Sequence, residues 1–312
     1  MNTLHLKYAV EVERCGSITQ AAEKLYMNQP NLSKNIRELE DSLGIVIFKR
    51  TAKGMVPTKK GREFLSYAKN ILTQVERMEN LLGDDADRKI SFHIAVPRAS
   101  YVAHAFTEFV SALPPGRETR IDYRETHSLR TIRDVADGEI DLGIIRFRDH
   151  YQGYFEDVLA EKRLRSELVL SFPYRLLLSE RHPLAQRKTI EPAELDDFVE
   201  ITHGDASAPS APAPRNRSLA EDGKALREIA IYERGSQLEL LDRVPGTYMW
   251  VSPMPRYVLD KFSLVQRNCL VPDNSHRDLL IYRRDYRLSE EDELFVEKLM
   301  AAARACAETA PA

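Results

Sequence analysis

The stretch Ser17–Gly44, SITQAAEKLYMNQPNLSKNIRELEDSLG, constrains the chain more than any other. It reads as two short helices joined by a tight turn. Ser17 supplies an N-cap, and Gln20 stands three residues on, where a capping box takes Glu or Gln. Ile18, Ala21, Ala22 and Leu25 recur at i, i+3, i+4 and i+7, so the first helix has one apolar face. Its two alanines let another helix approach closely. Tyr26-Met27-Asn28 makes the turn. Asn28 caps the second helix, and Pro30 fits the first turn because its missing N–H would be unpaired there anyway. Leu32, Ile36, Leu39 and Leu43 form the buried stripe of the second helix, and Gly44 offers its C-terminal stop.

The other face of that second helix carries Gln29, Asn31, Ser33, Lys34 and Arg37. These side chains suit base edges and phosphates, and the helix N-terminus adds its own attraction for a phosphate. Helix, short turn and polar-basic helix make the helix-turn-helix pattern, whose second helix lies in the major groove of DNA. An ordinary helical hairpin with a solvated outer face is the competing reading. The following residues favour the first. Val46-Ile47-Phe48 and Met55-Val56 flank Lys49-Arg50-Thr51-Ala52-Lys53-Gly54, a small hairpin with a basic tip, or wing. Between Lys49 and Lys69 there are seven Lys or Arg against one acid, Glu63. That charge is a footprint for the DNA backbone. Gln29, Asn31 and Lys34 are placed to read bases. Ser33, Arg37, Arg50 and Lys53 are placed to hold phosphates, with Ser17, Thr19 and Pro30 on the same surface.

The match in register is extensive: Gly16-Ser17-Ile18-Thr19, Ala21-Ala22, Leu25, Gln29-Pro30, Ser33, Ile36, Leu39-Glu40, Leu43-Gly44, Phe48, Arg50, Thr58 and Gly61. On these residues, positions 1–82 resemble the DNA-binding domain of the LysR-type transcriptional regulators. Two departures concern Asn28, where the family usually has Ser and either residue can N-cap, and Ala9, where an aromatic is usual.

Charge is unevenly distributed. Residues 1–82 hold thirteen Lys or Arg against nine Asp or Glu, a net +4, while the remainder holds 32 against 39, a net −7. A basic front on an acidic body suggests that only the front faces nucleic acid. The N-terminus lacks the long apolar core of a signal peptide, and no apolar run approaches the roughly 18 residues of a membrane span. Cys15, Cys269 and Cys306 are scattered without metal-ligand spacing, which predicts reduced thiols, no metal site and a cytoplasmic protein.

After the wing, Thr58 can cap a long helix. Phe64, Ala68, Ile71, Val75, Met78 and Leu82 are spaced 4, 3, 4, 3 and 4, a heptad seam. The seam reads either as one amphipathic helix lying on its own domain or as a contact with a second subunit. The resemblance implies a linker helix that dimerises. Gly83-Asp84-Asp85-Ala86-Asp87 breaks the pattern and marks a hinge. Beyond it, strands and helices alternate: Ile90–Val96, helix Tyr101–Leu113, Thr119–Glu125, helix Ser128–Asp137, Asp141–Ile145. That order predicts a parallel sheet. Further strands are read at Leu168–Phe172, Tyr174–Leu178, Phe198–Thr202, Glu228–Tyr232 and Tyr248–Ser252, with helices at Ser236–Arg243 and Ser289–Ala305. Residues 206–214, rich in Ala, Ser and Pro, read as a loop. Gly138–Ile144 and His182-Pro183-Leu184 resemble recurring segments of the family's effector domain.

The expected fold class is therefore α/β with three parts. These are an N-terminal winged helix-turn-helix (1–58), a long linker helix (59–83), and a two-lobed, periplasmic-binding-protein-like effector domain (88–312). Lobe I is expected over 88–163 and 264–312, lobe II over 164–263. Ligands of open parallel sheets bind beyond the carboxyl ends of the strands. That rule points to Arg98, Ser100, Tyr101, His127, Ser128, Arg146, Thr202 and His203. Two arginines and two helix N-termini suit a carboxylate or other anion. Trp250 reads as core.

These readings make the chain a regulator that binds double-stranded DNA under the control of a small, anionic effector. Its further expected partners are RNA polymerase and a second copy, in a homodimer or homotetramer, and no cofactor or membrane is expected. A ligand-independent regulator is the alternative. Enzyme and solute-binding readings share the two-lobed body. The chain offers no P-loop, dinucleotide glycine motif, nucleophile elbow or HExxH, and so no catalytic residues to name. Peroxide-sensing relatives place paired cysteines in the second lobe, and residues 164–262 contain none.

Overall fold

A computed structural model describes residues 2–52, 54–82, 89–204 and 227–308. The expected hinge at 83–87, the loop at 206–214 and Lys53 lie outside these described residues. The chain forms two compact units: residues up to Ile90 with 116–120 and 136–139, and the rest of the chain.

In the first unit, α1 (Thr3–Cys15), α2 (Ile18–Lys24) and α3 (Gln29–Leu43) follow the caps read from the sequence. Ser17 Oγ accepts the Gln20 N–H at 3.4 Å, and Asn28 Oδ1 accepts the Asn31 N–H at 2.9 Å. Each bond satisfies an orphan donor of a helix start. Gly44 terminates α3. Strands β1 (Phe48–Thr51) and β2 (Gly54–Pro57) pair antiparallel as the wing, and α4 runs over Lys59–Leu82. Val12, Ala21, Ala22, Leu32, Ile36, Leu39, Ile47 and Leu65 close the core. The Glu40 carboxylate accepts the N–H groups of Ile47 (2.6 Å) and Phe48 (3.0 Å), which fastens the strand entering the wing to α3. Two glycines permit close approach. A Cβ on Gly61 would stand 2.0 Å from the Ile47 carbonyl oxygen. At Gly54, whose φ is +104°, it would stand 2.4 Å from that of Gly16. Neither position has room for a side chain.

The second unit contains two sheets. One has the order β4-β3-β5-β13-β6, built from β3 (Ile90–Val96), β4 (Thr119–Glu125), β5 (Leu142–Arg148), β6 (Leu164–Pro173) and β13 (Ser275–Arg283). The other has the order β10-β9-β11-β7-β12-β8, from β7 (Arg175–Ser179), β8 (Thr189–Ile190), β9 (Val199–His203), β10 (Glu228–Ile231), β11 (Thr247–Val251) and β12 (Leu264–Cys269). The helices are α5 (Ser100–Ala112), α6 (Ser128–Ala136), α7 (Gln152–Glu161), α8 (Gln237–Arg243), α9 (Arg256–Lys261) and α10 (Glu290–Glu308).

The sheet expected over 90–145 is parallel where β3 meets β5; the structure adds antiparallel strands to it and corrects the lobe boundaries. β13 runs antiparallel to both β5 and β6. The expected lobe II began at residue 164, yet β6 belongs to the first sheet because it pairs with β13 along almost its whole length. Likewise β12, expected in lobe I, lies in the second sheet beside β7. The chain therefore crosses between sheets at 173–175 and returns at 270–274. Asn274 ties the two crossings: its side chain donates to the Tyr174 carbonyl at 2.8 Å and accepts the Tyr174 N–H at 3.2 Å. α5 and α10 cover the first sheet, where Phe92 and Phe109 meet with ring centroids 4.5 Å apart. Strand alternation splits the second sheet. Leu177 packs with Ile201, Leu241 and Met249 on one face, and Leu176 and Leu178 pack with Ile190 and Leu195 on the other.

Candidate nucleic-acid interface and ligand cavity

The apolar stripe of α3 points inward, with Leu32 and Leu39 fully buried. Helical periodicity then turns Gln29, Asn31, Lys34 and Arg37 outward, and all four are exposed. Between α3, the start of α2 and the wing lies a groove of about 470 Å³, lined by Ser17, Thr19, Gln29, Ser33, Arg37, Glu40 and Arg50 among others. Glu40 is the acid there, and its carboxylate is engaged by the N–H groups at the entrance to the wing. Pro30, Asn31 and Lys34 stand outside the groove on the exposed flank of α3, where Lys34 faces Glu38 at 3.7 Å.

The second unit holds a cavity of about 450 Å³ between its two sheets. Its polar wall includes Arg98, Ser100, Glu125, Thr126, His127, Ser128, Arg130, Arg146, His203, Arg234 and Gln237. Leu177, Leu238, Met249, Trp250, Val251 and Met254 make the apolar wall. Arg146 is 3 % exposed and Asp278 0 %. The guanidinium donates through Nε to Asp278 Oδ1 (2.7 Å) and through Nη2 to Oδ2 (2.6 Å). Its Nη1 donates to the Arg98 carbonyl (3.3 Å) and the Tyr174 hydroxyl (3.2 Å). Burial opposes this charge, but Asp278, with Tyr174 and Tyr101, outweighs it and holds the guanidinium firmly protonated. Tyr101 donates to the same carboxylate, and burial, then Asp278, pushes its phenol well up.

Several of the expected ligand contacts have partners within the protein. Arg146 reaches the cavity wall, but its charge is offset by Asp278 in a bidentate pair, so it serves the wall first. Tyr101 is fully buried on Asp278 and does not line the cavity. Ser128 lines it, yet its hydroxyl donates to the Arg146 carbonyl (2.7 Å) and accepts the Arg146 N–H (3.0 Å), which fastens α6 to β5. Thr202 lies outside the lining and donates to Glu228 at 2.6 Å. Arg98, Ser100, His127 and His203 do line the cavity. Trp250, expected in the core, is half-buried on the cavity wall.

The bacterial regulatory helix-turn-helix model of the lysR family matches residues 4–62, and the LysR substrate binding domain model matches residues 92–304, more than half of the chain. The chain belongs to the LysR family. Among curated relatives, the HTH-type transcriptional regulator AlsR of Bacillus subtilis is 30% identical over 210 residues, covering 65% of this chain and 64% of its own. OxyR of Escherichia coli, a DNA-binding transcriptional dual regulator, is 22% identical over 320 residues, covering 96% and 95%. In the first three curated relatives the alignment spans 64%, 62% and 63% of their length. Among solved structures, a full-length OxyR variant from Pseudomonas aeruginosa has a TM-score of 0.62 at 16% identity, covering 100% of this chain and 97% of that one. LysG of Corynebacterium glutamicum, solved with bound effector Arg, has a TM-score of 0.60 at 15% identity, covering 97% and 98%. CbnR complexed with its target DNA has a TM-score of 0.54 at 17% identity, covering 97% and 100%. At these identities the structural likeness establishes the fold.

Within this LysR-family body, sequence reasoning missed Glu125, Arg130, Arg234, Gln237 and the cavity face of Trp250. Glu125 ends β4, two residues before His127. Arg234 and Gln237 follow the carboxyl end of β10, so the same strand-end rule applied to β10 would have found both.

Proposed function

We infer that the chain is a DNA-binding transcriptional regulator whose promoter is read by α3 and the wing. The observation that carries this reading is the capped α3. It presents exposed Gln29 and Arg37 beside Ser33 in a groove shared with Ser17, Thr19 and Arg50. Gln29 in the groove, with Asn31 and Lys34 on the adjoining flank of α3, reads bases, while Ser33, Arg37, Arg50 and Lys53 hold phosphates. The family match and the fold shared with CbnR, itself solved on target DNA, support the reading. Mapping bound DNA genome-wide, then footprinting the strongest promoter with Gln29→Ala and Arg50→Ala, tests it. Footprints unchanged in both variants would remove α3 and the wing from the interface.

The cavity between the two sheets takes a small anionic effector, for which a carboxylate is the simplest chemistry. The substrate binding domain match and the arginines of the cavity wall support this reading. The protein works in the cytoplasm as a homodimer, which two such units can extend to a tetramer, and acts on RNA polymerase at the promoter. The dimer contact lies along α4. Ala68 is buried on its own unit, whereas Ile71 and Met78 are 41% and 55% exposed on the same heptad seam. Replacing Ile71 and Val75 by Asp breaks the dimer in sedimentation, and an unchanged mass moves the contact elsewhere.

A further inference from the structure

Arg234 stands between β10 and α8, on the side of the second sheet, yet its guanidinium reaches residues of the first. Nη1 donates to the Glu125 carboxylate at the end of β4, in the first sheet, and Nη2 donates to Ser100 Oγ at the start of α5 at 3.2 Å. Arg98, also from the first sheet, approaches the other Glu125 oxygen at 3.8 Å. Glu125 is 20% and Arg234 33% exposed at the side chain, so water screens the contact only in part. All four residues line the cavity, as do the apolar Leu238, Met249 and Trp250. Two guanidinium groups and a hydroxyl at a helix start are the groups a bound anion would meet, and here the Glu125 carboxylate is that anion.

We propose that Glu125 is a built-in substitute for the carboxylate of the effector: it latches the two sheets together through Arg234, and the effector enters by displacing it. The effector class is then a monocarboxylate with an apolar body, its charge on Arg234 and Ser100 and its body against Trp250 and Met249. This deepens the reading of the cavity as the effector site and rests on it. The latch also sets the sensitivity of the switch. A ligand shifts an equilibrium only by its difference in affinity between two states, and here that difference is reduced by the internal competitor. Glu125→Gln removes the competitor's charge while keeping its shape.

The test uses the full-length protein with cyclohexanecarboxylate as probe and its amide as the neutral control, in calorimetry and in amide hydrogen exchange. Glu125→Gln binds the carboxylate at least tenfold tighter than the parent, Arg234→Gln loses it, and the amide distinguishes none of them. Without any probe, exchange at residues 123–126 and 232–238 speeds at least threefold in either variant and no further in the double variant, because the two side chains form one contact. Equal carboxylate affinity in the parent and in Glu125→Gln, or no binding to Glu125→Gln at all, overturns the displacement. Unchanged or additive exchange rates overturn the latch. Failure of the underlying reading looks different: an effector identified through the mapped promoters then binds with affinity unchanged in both Trp250→Ala and Gln237→Ala.

Discussion

The two functional regions handle their arginines in opposite ways. On the first unit, Arg37 and Arg50 are exposed beside the α3 groove, and among the described residues neither has a carboxylate within ion-pair distance. In the cavity of the second unit, Arg98 and Arg234 face Glu125, Arg130 faces Asp134 at 3.5 Å, and Arg146 is clamped on Asp278. A surface that meets a polyanion gains from cations held in water, since each neutralised phosphate releases a counterion. A cavity wall has no such supply of anions. Burying a guanidinium without a partner costs several kcal/mol, so the wall carries its own carboxylates.

The sharpest way to break this contrast is to remove one charge from each region. Arg146→Ala leaves Asp278 buried and unpaired and should cost about 3–5 kcal/mol of stability in urea titration. Trp250, the one tryptophan of the chain, reports on the second unit alone. Arg37→Ala should stay within about 0.5 kcal/mol, since it is exposed. Replacing the buried pair together, Arg146→Met with Asp278→Leu, should recover much of the loss. A small cost for Arg146→Ala would make that pair as dispensable as a surface arginine.

Acid provides the second comparison. Burial holds His182 and His276 at a pKa of about 4, and they are 3 % and 0 % exposed. In the unfolded chain both titrate near 6.5. Between about pH 6.5 and 4 the unfolded state therefore binds protons that the folded state refuses, and stability falls as pH falls. The slope is at most about 1.4 kcal/mol per pH unit for each histidine. The first unit carries one histidine, His5. Trp250 fluorescence should thus report loss of the second unit before helical signal from the first is lost. His276→Phe, which can keep the ring contacts to Phe172 and Tyr174, should flatten the slope. An unchanged slope would mean that other groups set the acid response.

The two regions also differ in how far the sequence discloses them. The second helix is read between a cap at Asn28 and a stop at Gly44, and α3 is observed at Gln29–Leu43. The caps at Ser17 and Asn28 bond as their spacing predicts. All of this is local, written within four residues along the chain. The cavity is not. Arg146 and Asp278 are 132 positions apart and Arg234 and Glu125 109, so no periodicity links them. The strand-end rule located Arg98, Ser100, His127 and His203 on the cavity wall, but it does not tell a side chain that faces a ligand from one consumed by the wall. Tyr101, Ser128 and Arg146 are of the second kind. Helices α7 and α9 were missed because each is short and buries few side chains: Phe155 and Leu159 in one, Val258 in the other.

On the DNA side, Gln29→Ala should cost roughly 1–3 kcal/mol on the specific site and relax its sequence preference. Arg50→Ala should weaken all sequences alike and flatten the salt dependence. Gel shifts at two salt concentrations on specific and random DNA separate the two. If Arg50→Ala changed sequence preference instead, the wing would be reading bases, and the division between α3 and wing would fail.

The smallest expected effect tests whether α3 works as a preformed element. Asn28 lies one residue before Gln29, and its side chain holds the Asn31 N–H in the first turn, where base readout is placed. Asn28→Ala frees that donor and should cost about 1 kcal/mol, whereas Asn28→Ser keeps a capping oxygen and should be near neutral. Amide exchange at Asn31 and Leu32 measures the fraying directly. Affinity for the specific site should drop in Asn28→Ala by less than in Gln29→Ala, because the turn is loosened while every contacting side chain remains. Random DNA should be bound almost as before, since phosphate contacts tolerate a frayed turn better than bidentate base contacts do. If Asn28→Ser lost as much affinity as Asn28→Ala, the asparagine would be touching DNA itself, and the cap would be secondary to that contact.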